Sequence, residues 1–201
     1  MTKVTMAEDL QTQNVQLLQA KPLQYDRMMV VLHWLLAMGL LYQLGLGLWM
    51  DDLPKEPVGE RAQWFNLHKS IGLCLGMLIL WRLGWRFTHS VPAPVNPAPS
   101  WQQKTSALTH WSMYACMLLL PITGFAGSNF SAYPVKFFGI ELPKLFDPDP
   151  ALKSLMSDSH EWLASIFMTL VLLHFLAALW HGWVKRDGLL RRMAWSRADS
   201  N

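Results

Sequence analysis

Four stretches of this 201-residue chain are apolar over more than the roughly 20 residues that an α-helix needs to cross a bilayer. They run at about 28–50 (MMVVLHWLLAMGLLYQLGLGLWM), 64–87 (WFNLHKSIGLCLGMLILWRLGWRF), 107–128 (ending LLLPITGFAGS) and 158–184. In lipid a spanning backbone must satisfy its own polar groups, so each stretch is predicted to be a helix. Polar joints between them make successive spans alternate in direction. The fold class expected is therefore all-α, an integral-membrane antiparallel four-helix bundle. Composition points the same way: 15% of the residues are charged, against about 25% in a soluble domain. Eleven tryptophans suit a chain whose ends meet both membrane interfaces.

The joints and ends divide the chain further. Residues 1–24 are polar and mixed in charge. They have no apolar signal core, so they read as an amphipathic or disordered arm rather than a cleaved leader. Residues 25–193 form the membrane domain, and 194–201 a short tail. DDLPKEPVGERAQ (51–63) joins spans one and two. THSVPAPVNPAPSWQQKTS (88–106) joins two and three, its prolines favouring an extended polyproline-like linker. NFSAYPVKFFGIELPKLFDPDPALKSLMS (129–157) joins three and four. Its centre, VKFFGIELPKLF, is apolar but too short to span, and is expected to lie in the interface against the bundle. Pro121 is expected to kink span three. Cys74 and Cys116 sit in apolar runs as small buried hydrophobes, and the chain has no CxxCH for covalent haem.

Charge orients the spans. The N-terminal arm, the second joint with Arg82 and Arg86, and the C-terminal tail hold eleven basic and five acidic residues; the first and third joints hold five and eight. Lys and Arg concentrate on the cytoplasmic side. Both termini and the proline-rich loop are thus expected on the cytoplasmic side. The net charge of +3 is this asymmetry and asks for no nucleic acid.

HEWLASIFMTLVLLHFLAALWH (160–181) carries three histidines in an apolar run. His160, His174 and His181 are spaced by fourteen and seven residues, which places them on one helical stripe within about 60°. His160 and His174 lie roughly 21 Å apart along the axis. His33 lies sixteen residues inside Trp49, and His174 sixteen inside Asp158, each roughly 24 Å deep. His68 and His160 both fall at the outer rim. Two pairs result, His68 with His160 and His33 with His174. Facing neutral imidazoles suit a six-coordinate haem iron, closed to oxygen and fit for electron transfer. Arg82, fourteen residues after His68, reaches the level of the inner pair, where it would either neutralise haem propionates or snorkel to the surface. His181 and His110, near the inner surface, could line a quinone and proton site. No catalytic residue is assigned. The rival reading of the rings is a His-lined proton or metal-ion path, or structural hydrogen bonds; a transporter would more often show intramembrane carboxylates, and here only Glu161 at the rim qualifies.

YDRMMVVLHWLLA around His33, LHKSIGLCLGMLILWRLGWRF around His68 and Arg82, HWSMYACMLLLPITG from His110, FFGIELP, and HEWLASIFMTLVLLHFLAALWHGWVKRDGLLRRM together resemble the bacterial cytochrome b561 family. The likeness covers about residues 25–193. It implies two non-covalent b-type haems, ligated by His33, His68, His160 and His174. It also implies electron flow between a periplasmic donor and membrane quinone, with the chain embedded in lipid. Some members are similar to superoxide oxidases. Related cytochromes anchor larger redox enzymes, which makes a partner protein the alternative. The outer joints are net acidic by three, which does not favour steering an anion, although Lys69, Lys136, Lys144 and Lys153 are placed to focus positive charge locally.

Overall fold

The computed structural model describes residues 25–54, 58–90, 92 and 99–193. The 1–24 arm, the 194–201 tail and the centre of the proline-rich linker lie outside these residues. Among the described residues, four α-helices make up the architecture: α1 (Arg27–Asp51), α2 (Val58–Thr88), α3 (Ser100–Asn129) and α4 (Pro150–Leu179). A π-helical segment, Trp180–Lys185, continues α4, and a 3-10 turn, Leu189–Met193, follows it. All four helices are long and apolar enough to cross a membrane.

Each helix outruns its apolar window, most visibly α4. It starts eight residues before the expected span because DPDPAL is a helix start. The Asp149 carboxylate accepts hydrogen bonds from the N–H groups of Ala151 and Leu152 at 2.9 and 3.0 Å. Pro150 occupies the first turn, where its missing N–H is no loss. Similarly, α3 begins at Ser100, so the last seven residues of the proline-rich joint are helical rather than extended. Its Thr105 hydroxyl donates to the Trp101 carbonyl at 2.8 Å. The helix runs on through Pro121 to Asn129 as one element.

The apolar centre of the third joint is a β-hairpin. Strands β1 (Val135–Phe137) and β2 (Ile140–Leu142) pair antiparallel, Phe137 opposite Ile140. Phe138 and Gly139 make the turn, with φ of 47° and 92°. Two successive positive φ values match the right-handed strand twist, and glycine at the second takes the strain out of it. The hairpin packs against the side of α2 at Ser70. The Phe138 N–H donates to the hydroxyl of buried Ser70 at 2.8 Å, and Val135 is buried beside it. Asn129 pins the following loop, its Oδ1 accepting from the Leu145 N–H at 3.1 Å.

The core joins all four helices through Leu36, Leu75, Ile79, Tyr114, Cys116, Met117 and Phe167. Cys116 lies in it as a free thiol; Cys74 is free and half-buried. Outward, Met38, Leu41, Leu48, Met77, Leu80 and Leu172 are exposed, the apolar coat that lipid requires.

Replacing Asp149 with Ala removes the acceptor of two otherwise orphaned N–H groups, at a cost of about 1 kcal/mol. A lower unfolding midpoint in detergent, with helix content retained, is the expected result.

Candidate functional site

Histidines from α1, α2 and α4 meet in pairs at two levels. Toward the hairpin end, His68 of α2 and His160 of α4 lie with ring centroids 6.2 Å apart and planes at 79°. Toward the other end, His33 of α1 and His174 of α4 lie 6.3 Å apart at 71°. The fourteen-residue spacing on α4 carries one ring of each pair along a single face. Because α2 and α4 both start early, His68 and His160 each sit ten residues past their helix's first residue. The rim position expected for them is instead nearly three turns into the helices; both helices lengthen alike, so the two rings still meet.

Ring spacing tests what such pairs could hold. An imidazole nitrogen binds a metal such as zinc at roughly 2.0–2.1 Å, and the ring centre lies about 1.2 Å further on, so two rings across one ion stand roughly 6.4–6.6 Å apart. The pairs, at 6.2 and 6.3 Å, come close to that spacing, and all four rings are only half-buried in protein. A ring left open inside a membrane asks for a partner. The donor set therefore fits a metal-centred cofactor carrying two axial imidazoles.

His160 is prepared for such a role. Its Nδ1 lies 2.9 Å from the Leu120 carbonyl and 3.3 Å from the Thr123 hydroxyl. A carbonyl only accepts, so Nδ1 carries the ring proton and Nε2 keeps its lone pair for a metal. Gly124 makes this approach possible: a Cβ there would stand 3.1 Å from His160 Cε1.

A third ring joins the level of His33 and His174. His110 of α3 lies 5.5 Å from His174, centroid to centroid. Arg82 is buried rather than snorkelling. Its Nη1 donates to the Met29 carbonyl at 3.0 Å, and its charge lies within electrostatic range of His33, His110 and His174. Arg86 sits over the Tyr114 ring at 5.6 Å.

His181 has another engagement. The π segment begins at Trp180, and the His181 Nδ1 meets the Asp187 carboxylate at 2.5 Å. Asp187 was not singled out from sequence. The signal was local, HGWVKRD, but no regular helical spacing brings positions six apart together. Arg186 (φ 51°) and Gly188 (φ 75°) turn the chain back so that Asp187 can reach. Partial burial opposes ionisation of the Asp187 carboxyl, yet the His181 ring, the Leu189 N–H and the Lys185 charge outweigh it and hold the carboxyl below its ordinary value.

That shift has a sign. A carboxyl depressed in the folded state stabilises the turn above its unfolded value, near 3.9, and loses that contribution as pH falls through the lower folded value. Asp187→Asn should mimic the acid state at neutral pH. The expected readout is faster trypsin cleavage after Arg186 than in the wild type, with the spans intact.

Comparison with known proteins gives a consistent result. The profile of the family described as prokaryotic cytochrome b561 matches residues 24–196. Cytochrome b561 homolog 1 of Escherichia coli is 32% identical over 126 residues, 63% of this chain and 72% of the relative. Cytochrome b561 homolog 2 of the same organism is 29% identical over 177 residues, 86% and 92% of the two chains. The probable superoxide oxidase CybB of Yersinia pestis is 28% identical over 178 residues, 85% and 95%.

Proposed function

The chain belongs to the prokaryotic cytochrome b561 family, and from that premise we propose a di-haem carrier of electrons between a periplasmic donor and membrane quinone. As a family member it is a multi-pass bacterial membrane b-type cytochrome of electron transfer. The finer reading rests on one observation: two histidine pairs at two levels, each with a ring spacing close to that of two imidazoles sharing one metal ion. His68 and His160 would hold the outer haem, His33 and His174 the inner one. Bound there, the haems would supply one-electron redox chemistry.

The chain's own groups do the rest. The Leu120 carbonyl keeps the proton on His160 Nδ1 and orients the ring. Arg82 spends one N–H on the Met29 carbonyl; its other donors are free in number to pair with propionate oxygens. His110 stands beside the inner pair, and His181, oriented by Asp187, is a second group able to take or give a proton where quinone would dock. Residues 25–193 act as one membrane domain, with both termini cytoplasmic by the distribution of Lys and Arg.

One feature favours superoxide as the donor. Lys69, next to His68, lies within electrostatic range of Lys144 and Lys153, so a local positive patch borders the outer pair despite the acidic joints around it. A relative carries the name probable superoxide oxidase.

A reduced-minus-oxidised spectrum of purified protein should show about two b-type haems per chain. His68→Ala and His160→Ala should remove the same one, and His33→Ala and His174→Ala the other. A haem-free folded protein would sink the reading. Superoxide-driven quinone reduction should slow on the order of tenfold or more from low salt to about 1 M, where charges are screened within about 3 Å. A stoichiometric partner enzyme, with no quinone reduction by the chain alone, would make it an anchor subunit instead.

A further inference from the structure

Among the described residues, two buried side-chain polar atoms have no hydrogen-bond partner: Gln43 Oε1 and His68 Nδ1. They belong to residues that already touch. Gln43 Nε2 donates to the His68 backbone carbonyl at 2.8 Å. Gln43 lies in the interior of α1 and is 8% exposed, an unusual place for an amide in a spanning helix. The orientation of that amide is determined by its partner. A carbonyl only accepts, so the NH₂ must face it, and the amide oxygen is left over as an acceptor.

The two leftover atoms are complementary. A neutral imidazole that gives Nε2 to a metal carries its proton on Nδ1, and that N–H needs an acceptor. His160 finds one in the Leu120 carbonyl. His68 has no such contact to backbone, and lipid supplies no water. The ring lies on the α1 face that bears Gln43. A Cβ on Gly47, one turn after Gln43, would come within 3.6 Å of His68 Cε1. From α2, Gly72 opens the space: a Cβ there would stand 3.2 Å from Gln43 Nε2.

We propose that Gln43 is the positioning residue of His68, one amide spanning its backbone carbonyl and its ring Nδ1–H and so leaving Nε2 aimed at the outer iron. This rests on the outer-haem reading above. The pairing requires a side-chain rotation that brings the two leftover atoms together. An amide oxygen accepting from Nδ1–H makes the ring a stronger donor to iron, which favours the oxidised metal and lowers its potential. The effect is confined to the outer site, because His33 and His174 lie at the other level.

The test is a redox titration of purified holoprotein, wild type against Gln43→Leu and Gln43→Met. The outer haem is identified as the one that His160→Ala lacks. Both variants should keep two haems and show a higher midpoint potential for the outer haem, with the inner haem unmoved. An unmoved outer potential, or equal shifts in both haems, overturns the proposal while leaving the two-haem reading in place. A His68→Ala protein that retains both haems overturns the outer site and Gln43's role together. Should the variants not insert, redox-difference infrared spectra of wild-type protein carrying ¹³C-labelled glutamine decide the matter. A glutamine carbonyl band should move with oxidation of the outer haem, and a spectrum without one overturns the proposal.

Discussion

A histidine ring inside a membrane helix has no water to bond, so each ring nitrogen must find its partner in protein or cofactor. The approach of α4 to α3 answers that demand. His160 reaches the Leu120 carbonyl only because position 124 has no side chain in the way. Other buried polar groups follow the same pattern. Arg82 bonds the Met29 carbonyl, Gln43 the His68 carbonyl and Thr123 the carbonyls of Leu119 and Leu120. Backbone carbonyls have two lone pairs, and a helix uses only one of them in its own ladder. The bundle draws on the second.

The two ends of the bundle are built differently. At the hairpin end, a compact loop is locked by Ser70 and Asn129, and the Asp149 cap starts α4 from it. Lys136 pairs with Glu141 across the hairpin at 3.2 Å, and Lys144 donates to the Ser131 carbonyl. Lys69 and Lys153 keep positive charge near the outer rings. At the opposite end the contacts are made by tryptophans and a turned-back tail. Trp85 donates to Asp26 at 2.7 Å and Trp34 to the Met193 carbonyl at 2.9 Å, while His181 meets Asp187. One end carries lysines; the other carries aromatic rings and a histidine–carboxylate pair.

Several local features were written in the sequence but outweighed by hydropathy. DPDPAL is an N-cap followed by proline at the first helical position, yet KSLMSDS is too polar to count as span. VKF-FG-IEL is a two-residue hairpin, yet its apolar residues resemble an interfacial helix as closely. In both, the signal lies in one or two residues, and a window of twenty averages it away. Gln43 was hidden for the opposite reason. In MGLLYQLGLGL it is one polar residue in an apolar run, and its meaning depends on a carbonyl twenty-five positions later.

By itself the sequence determined the four spans, their alternation and which rings share a level. Those depend only on hydropathy and on a constant 1.5 Å rise per residue, both local and additive along the chain. It also placed the chain in its family. Tertiary structure decided which nitrogen of His160 is free, that His110 stands with the inner pair, that Arg82 stays buried and that His181 turns to Asp187. These depend on helix rotation, on the missing Cβ of Gly124 and on the change of pitch at Trp180. Such quantities are set by packing between segments, and no stretch of chain contains them alone.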